Sequence, residues 1–277
     1  MGRYTMGRQQ LFSKDDIEFI KNNYQFMTCA EIANVLGFTT AQVKGKVDKL
    51  HLPRKKRKIN DDYFKNIDTP LKAYLLGFIY ADGWVVNNEA RGNYEFGMEL
   101  QSQDKYILEK INDELGGQNI IYHSNEDDIF IFNDRLVHKG HSDTLRVYSK
   151  KIVNDLIKHG VVTNKSKKDI FPVVDDSVFF DFLRGYIDGD GCYYVNNGHT
   201  YMHITCASIV PLRYLQDKLK SFGIETHIYS ENSTKHRLMC INTQEMQKLV
   251  NCLYYSNDVF CLIRKYDKIK HFLGLAS

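Results

Sequence analysis

The chain has 277 residues, of which 43% are hydrophobic and 26% are charged, so it can bury a sizeable core and wholesale disorder is excluded. Its 37 basic and 34 acidic residues give a formal net charge of +3, which argues neither for nor against a polyanionic partner. No apolar run reaches the ~20 residues of a membrane span, so we expect no membrane partner. The first residues contain no apolar h-region, so we expect no secretory signal. The 6 cysteines contain no CxxC pair, which is typical of reduced thiols in an intracellular protein.

Residues 1–52 are predicted to form a small all-α domain. Ser13 has the position of a helix N-cap, Gly37 ends a second helix, and Thr39 or Thr40 begins a third. The last two helices and the turn between them resemble a helix-turn-helix, although an ordinary three-helix unit is the alternative. The lysines predicted to contact DNA from the third helix are Lys44, Lys46 and Lys49.

The basic charge is concentrated in one segment. Residues 44–58 contain eight basic residues and one acidic residue, whereas residues 59–277 carry an excess of acids. Residues 53–68 are therefore predicted to be a basic linker, either a solubilising tether or a contact to nucleic-acid phosphates. Its candidate phosphate-binding residues are Arg54, Lys55, Lys56, Arg57 and Lys58.

The sequence contains an internal repeat. Residues 75–83 read LLGFIYADG and residues 183–191 read LRGYIDGDG, and each follows an apolar, helix-like stretch. Small residues spaced four apart would lie on one helix face and allow two helix backbones to approach closely. The residues predicted to form this helix interface are Gly77, Ala81, Gly185 and Gly189.

An aspartate stands at the predicted C-terminal end of each repeated helix, Asp82 in the first and Asp190 in the second. A carboxylate there faces the negative end of the helix dipole, and two such acids on paired helices repel each other. A divalent cation offsets both costs, whereas the alternative is a pair of exposed Asp-Gly turns. The following glycines, Gly83 and Gly191, suit a left-handed helix cap.

The two nonamers resemble the motifs of the LAGLIDADG homing endonucleases, in the single-chain form with two motifs. Both keep the third-position Gly, the penultimate Asp and the final Gly, but the sixth-position Asp is present only as Asp188, with Tyr80 at the matching place. The resemblance covers residues 69–277, where strand-like and helix-like segments repeat in the same order.

The resemblance implies an α+β fold: two pseudo-symmetric LAGLIDADG αββαββα repeats that form a DNA-binding saddle, preceded by the small all-α helix-turn-helix domain. We expect repeat 1 over residues 69–168, an inter-repeat linker over 169–178 and repeat 2 over 179–277. Residues 124–143 are extra in repeat 1 and are expected to form an exposed loop.

The resemblance also implies a monomeric, site-specific endonuclease that hydrolyses phosphodiester bonds on both strands of a long asymmetric DNA target. Asp82 and Asp190, with the backbone carbonyls of Ala81 and Gly189, would hold Mg²⁺. Family members usually carry a lysine from each half near the scissile phosphates. The candidates are Lys168, ahead of Lys165, in the first half and Lys265 in the second.

DNA contacts are expected from the outward residues of alternating strands, although the same polar faces could simply be solvated. The candidates are Arg146, Tyr148, Tyr201, His203 and Arg237. One alternative function is a non-catalytic DNA-binding regulator, which would be expected to lose a metal-binding acid. Another is an intron maturase that binds RNA. A bacterial or phage-infected cell is the expected host, with an organelle as the alternative.

Overall fold

The computed structural model describes residues 12–24, 27, 29–52, 59–117, 119–124, 128–132, 135–163, 169–196 and 198–274. The chain divides into two compact units, residues 1–58 and residues 59–277, and each has its own hydrophobic core. Within the described ranges, every helix is too short or too polar to cross a bilayer.

The first unit contains three helices whose starts are fixed by capping residues. They are α1 (Lys14–Asn23), α2 (Cys29–Leu36) and α3 (Thr40–Lys49). Ser13 and Asp16 form a reciprocal capping box at α1, and Thr39 and Gln42 form another at α3. Gly37, with φ of 73°, ends α2 in the left-handed region that glycine adopts at little cost. The buried side chains of this unit are Ile20, Ile32, Ala33, Val43 and Val47.

The second unit begins with repeat 1. Its elements are α4 (Pro70–Asp82), β1 (Gly83–Asn88), β2 (Asn93–Gln101), α5 (Lys105–Glu114), β3 (Ile121–Ser124), β6 (Ser142–Val147) and α6 (Lys150–Lys158). The exposed loop expected over residues 124–143 is instead an antiparallel hairpin of β4 (Asp128–Phe132) and β5 (Arg135–Lys139). Consecutive β-branched and aromatic residues in β4, at positions 129–132, and the adjacent Leu136 and Val137 of β5 favour strand formation.

Repeat 2 has the same order of elements without that hairpin. It consists of α7 (Phe179–Asp190), β7 (Gly191–Asn196), β8 (His199–Cys206), α8 (Val210–Ser221), β9 (His227–Asn232), β10 (Lys235–Cys240), α9 (Thr243–Leu253) and a short α10 (Ile263–Tyr266). The antiparallel sheets have matching strand orders, β1-β2-β6-β3 and β7-β8-β10-β9. The predicted αββαββα duplication is therefore confirmed.

Each sheet packs one face on helices. In β6, Leu145 and Val147 are fully buried and Arg146 between them is exposed. In β8, Met202 and Ile204 are fully buried and alternate with half-buried His203. Helices α5 and α6 contact the first sheet and α8 and α9 contact the second, so the polar residues lie on the opposite faces.

The two segments that were predicted to be linkers, residues 53–68 and 169–178, both contain residues that pack against the core of the second unit. Tyr63 and Phe64 are buried in the core of the second unit, so residues 59–68 belong to it and not to a solvated tether. Between the repeats, the Phe171 ring packs edge-on against Tyr80 and Tyr186, with centroids 5.3 and 5.6 Å away. Hydrophobic residues within both segments explain the difference, since burying them stabilises the fold. Residues 53–58 lie outside the described residues.

Candidate active site at the tips of the paired helices

Helices α4 and α7 pack against each other through glycine. A Cβ atom placed on Gly77 would lie 2.0 Å from the carbonyl oxygen of Phe182, and one placed on Gly185 would lie 2.0 Å from that of Tyr74. The backbones are therefore in direct contact, at a separation that excludes any side chain at these two positions. Helical glycine costs about 1 kcal/mol relative to alanine, and this contact explains why it is present.

The same contact brings the two motif acids together. Asp82 and Asp190 are the last residues of α4 and α7, and both side chains are exposed. A Cβ on Gly189 would lie 2.1 Å from Cβ of Ala81 and 3.3 Å from Oδ2 of Asp82. The carboxylate of one helix thus lies beside the end of the other.

The expected left-handed caps after these acids are wrong. Gly83 and Gly191 have φ angles of −81° and −77°, so the chain passes straight from helix into an extended strand. A Cβ on Gly83 would lie 2.7 Å from the carbonyl oxygen of Ile79, and one on Gly191 would lie 2.6 Å from that of Ile187. Glycine is needed because the strand folds closely back over the preceding helical turn.

A cavity of about 460 Å³ opens beside Asp190. Trp84, on the polar face of β1, lines it together with Tyr186 and Cys206. The indole packs closely against the neighbouring strand, since a Cβ on Gly97 would lie 2.3 Å from a ring atom. As the single tryptophan of the chain, Trp84 is a natural optical probe of this site.

The donors at the helix tips suit a hard cation. Among the described residues there is no group of three or more His, Cys, Asp or Glu side chains that could hold a metal. The site offers the carboxylates of Asp82 and Asp190 with nearby backbone carbonyls, an oxygen set that suits Mg²⁺ or Ca²⁺ completed by water.

Lys265, the second-half candidate for a place near a scissile phosphate, lies at the C-terminal end of α7. Its side chain is buried, and Nζ donates hydrogen bonds to the carbonyl oxygens of Ile187 at 2.8 Å, Gly189 at 3.0 Å and Gly191 at 2.5 Å. Burial lowers the pKa of Lys265 from its ordinary value, while the negative charge of Asp188 opposes this shift. The ammonium therefore caps the C-terminus of α7, and the Gly189 carbonyl expected to bind metal already accepts a hydrogen bond.

Asp188 is an important residue whose role the sequence did not reveal. It is buried, and its Oδ2 accepts hydrogen bonds from the Tyr74 hydroxyl of α4 at 2.9 Å and from the Leu262 amide at 2.7 Å. Burial raises the pKa of Asp188 to about 6. Its one sequence signal is that the sixth-position acid survives in only one motif.

A buried ion pair on α7 was also missed. Arg184 lies 2.7 Å from Asp181, and both side chains are almost completely buried. The guanidinium also donates to the carbonyl oxygens of Leu253 at 2.6 Å and Phe260 at 3.1 Å. An arginine one turn after an aspartate resembles a surface pair in sequence, so only the tertiary contacts reveal this role.

The residues expected to contact DNA lie on the polar sheet faces. In repeat 1, Arg146 is 3.6 Å from Glu95, and Tyr148 is 55% exposed. In repeat 2, Arg237 is 2.6 Å from Glu231 and Tyr201 stacks on Tyr194 with centroids 5.2 Å apart. His203 lies beside them, and burial, followed by the charge of Arg237, lowers the pKa of His203.

The structure describes only some of the remaining basic residues that were predicted to contact DNA. On α3, Lys44 and Lys49 are exposed, whereas Lys46 lies over the Phe12 ring at 5.6 Å. Lys165, Lys168 and the five basic residues 54–58 lie outside the described residues.

Comparison with known proteins agrees with this geometry. Residues 178–251 match the family model described as a LAGLIDADG-like domain. The duplicated unit has the LAGLIDADG homing-endonuclease fold. The solved LAGLIDADG homing endonuclease I-GzeII in complex with its DNA target is 13% identical, with a TM-score of 0.51, covering 74% of this chain and 89% of that one.

The fold likeness extends to another solved structure. A solved mutant of I-SmaMI is also 13% identical, with a TM-score of 0.51, covering 75% of this chain and 89% of that chain. No curated protein sequence matches. In this LAGLIDADG fold, the paired motif helices are α4 and α7, and the two polar sheet faces belong to the two repeats.

Proposed function

We propose that this protein is a site-specific double-strand DNA endonuclease that uses a divalent metal. The observation that supports the proposal most directly is the pair of exposed carboxylates, Asp82 and Asp190, on adjoining tips of glycine-packed helices. Each helix leads into its own sheet, so the pair lies between two equivalent polar faces. This arrangement fits one phosphodiester on each strand of a duplex.

In this proposal Asp82 and Asp190 hold Mg²⁺, with the Ala81 carbonyl as a further oxygen donor. The bound metal would polarise the scissile phosphate, lower the pKa of an attacking water and stabilise the leaving 3′ oxygen. Lys168 keeps its proposed place near a scissile phosphate.

The two sheet faces would bind the two halves of the target. Arginine and tyrosine side chains on both faces can donate to bases and phosphates. Their differing residues would read two different half-sites, which supports a long asymmetric target and action as a monomer. I-GzeII was solved with its DNA target, and the shared fold supports DNA as the partner here.

The N-terminal unit would add affinity as a helix-turn-helix. Its α3 exposes Lys44 and Lys49, and the five basic residues 54–58 follow in the sequence. Removing residues 1–58 is expected to weaken DNA binding and flatten its dependence on salt, because fewer counterions are released. An unchanged slope of log affinity against log salt would contradict phosphate contact by this segment.

The proposed activity is tested with a randomised DNA library, since the target sequence is not needed in advance. Purified protein and Mg²⁺ are incubated with the library, and cleaved ends are sequenced. We expect one long, non-palindromic sequence to be cut on both strands. Selective binding without cleavage, in Mg²⁺ or Mn²⁺, would overturn the enzymatic proposal and favour a DNA-binding regulator.

A further inference from the structure

The segment of residues 260–265, named here the strap, carries Lys265 to the end of α7. The three carbonyls that accept from its ammonium belong to Ile187, Gly189 and Gly191, at the end of the motif helix and the start of β7. A lysine ammonium has three N–H donors, and these contacts can use all of them. The Ile187 carbonyl also accepts from the Gly191 amide, whereas Gly189 lies in the last helical turn, whose carbonyls carry the negative end of the helix dipole, so a buried cation is well matched there.

The strap is held from both repeats. From repeat 1, the Tyr106 hydroxyl donates to the Cys261 carbonyl at 3.0 Å and accepts from the Ile263 amide at 2.8 Å. From the same repeat, Asp104 accepts from Arg264 at 2.9 Å. From repeat 2, the contacts are Asp188 with the Leu262 amide and Arg184 with the Phe260 carbonyl. Lys265 is thus placed by a fixed segment.

We infer that Lys265 is a tethered cation that occupies the Gly189 carbonyl and competes there with the metal ion. The inference rests on the proposed metal site. It makes Lys265 a positioning residue, which holds the tip of α7 and its carboxylate, Asp190.

Two physical effects are expected to weaken metal binding while the ammonium is in place. The ammonium occupies one of the two lone pairs of the Gly189 oxygen, so a metal ion at this oxygen either shares it with a positive charge or displaces the ammonium. The ammonium also lies within electrostatic reach of both Asp82 and Asp190, whose negative charges stabilise its charged form. Its positive charge therefore repels any cation bound between those carboxylates.

The test measures metal binding without DNA or turnover. Tb³⁺ is an oxygen-seeking cation that substitutes for Ca²⁺, and its luminescence is sensitised by nearby Trp84. Titrations with Tb³⁺, and displacement by Ca²⁺, compare the full-length chain with Lys265→Met. Lys268→Met is the matched control, because Lys268 is exposed in the same part of the chain and its loss changes the charge equally. Trp84→Phe shows how much of the signal comes from the site.

We expect Lys265→Met to bind Ca²⁺ about tenfold more tightly than the parent chain, and Lys268→Met to bind as the parent does. Unchanged or weaker binding by a folded Lys265→Met would overturn the inference while leaving the metal site intact. A parent chain that binds neither Tb³⁺ nor Ca²⁺ would overturn both the inference and the proposed metal site.

A second measurement follows the ammonium itself in the parent chain and does not need Lys265→Met. Nitrogen-15 NMR of lysine ammonium groups in the parent chain should show one group protected from exchange with water, assigned by its absence in Lys265→Arg. Saturating Ca²⁺ should shift this signal and reduce its protection. A signal that stays unchanged while Ca²⁺ binds would show that the ammonium and the metal do not compete.

Discussion

The two motif helices are alike where they touch each other and different where each meets the rest of its own repeat. Gly77 of α4 contacts the Phe182 carbonyl, and Gly185 of α7 contacts the Tyr74 carbonyl at the same separation. Away from this contact, α4 has an almost wholly apolar environment, with Ala73, Leu76 and Tyr80 buried. The residues at the matching places in α7 are Asp181, Arg184 and Asp188.

The difference shows which residues must be the same in both motif helices and which can differ. A pseudo-two-fold contact demands the same small residue on both helices, since either side chain would meet the partner's backbone. The other faces of the two helices do not require the same residues in both repeats. On α7 the buried charges bind the last residue of α9 and the strap, although burying an ion pair gives little net stability.

The most damaging way to break the shared contact is Gly185→Ala. Its Cβ would lie 2.0 Å from the Tyr74 carbonyl oxygen, so the helices must separate. We expect a loss of more than about 4 kcal/mol in the free energy of unfolding, or no folded protein. Gly140→Ala is the control, because nothing lies within 4 Å of a Cβ there. Urea unfolding measures the free energy of unfolding of both variants, and equal stability would contradict the close contact between the helices.

The next prediction transplants repeat 1 residues into repeat 2. Arg184→Leu leaves Asp181 buried without its partner and should cost about 3–5 kcal/mol. Asp181→Ala with Arg184→Leu reproduces Ala73 and Leu76 of α4, and should recover part of that loss because no uncompensated charge remains. Urea unfolding of the single and double variants measures the recovery. A double variant less stable than Arg184→Leu would contradict the ion-pair account.

A smaller effect is expected on DNA binding by the two polar sheet faces. Arg146→Ala and Arg237→Ala each remove one half-exposed arginine, in repeat 1 and repeat 2 respectively. If each arginine contacts a base, each loss should cost about 1–3 kcal/mol of binding and relax specificity in a different half of the target. Selection from the randomised library with each variant shows which half of the target has lost specificity. Relaxation in the same half would contradict the assignment of one face to each half-site.

Much of this fold is predictable from the sequence because the deciding signals are local. Four-residue spacing of small residues, a terminal acid and alternating strands identify both motif helices and the duplication. The Lys265 contacts could not be predicted, because its partner Ile187 lies 78 residues away in the chain. Tyr106 and Cys261 are separated by 155 residues. No local pattern encodes such contacts. The hairpin β4–β5 was missed for another reason, since its acidic start favoured an exposed loop despite the consecutive apolar residues of β4.

The central claim is that Asp82 and Asp190 form one catalytic pair to which each repeat contributes an acid. It is tested on the selected target, in supercoiled plasmid with Mg²⁺, by comparing Asp82→Asn and Asp190→Asn with the parent chain. Asp217→Asn, an exposed residue of α8, controls for the loss of one charge. We predict that both motif variants bind DNA with affinity close to the parent's and form no linear product, whereas Asp217→Asn linearises the plasmid normally. Linear product formed at the parental rate by either motif variant would contradict the claim.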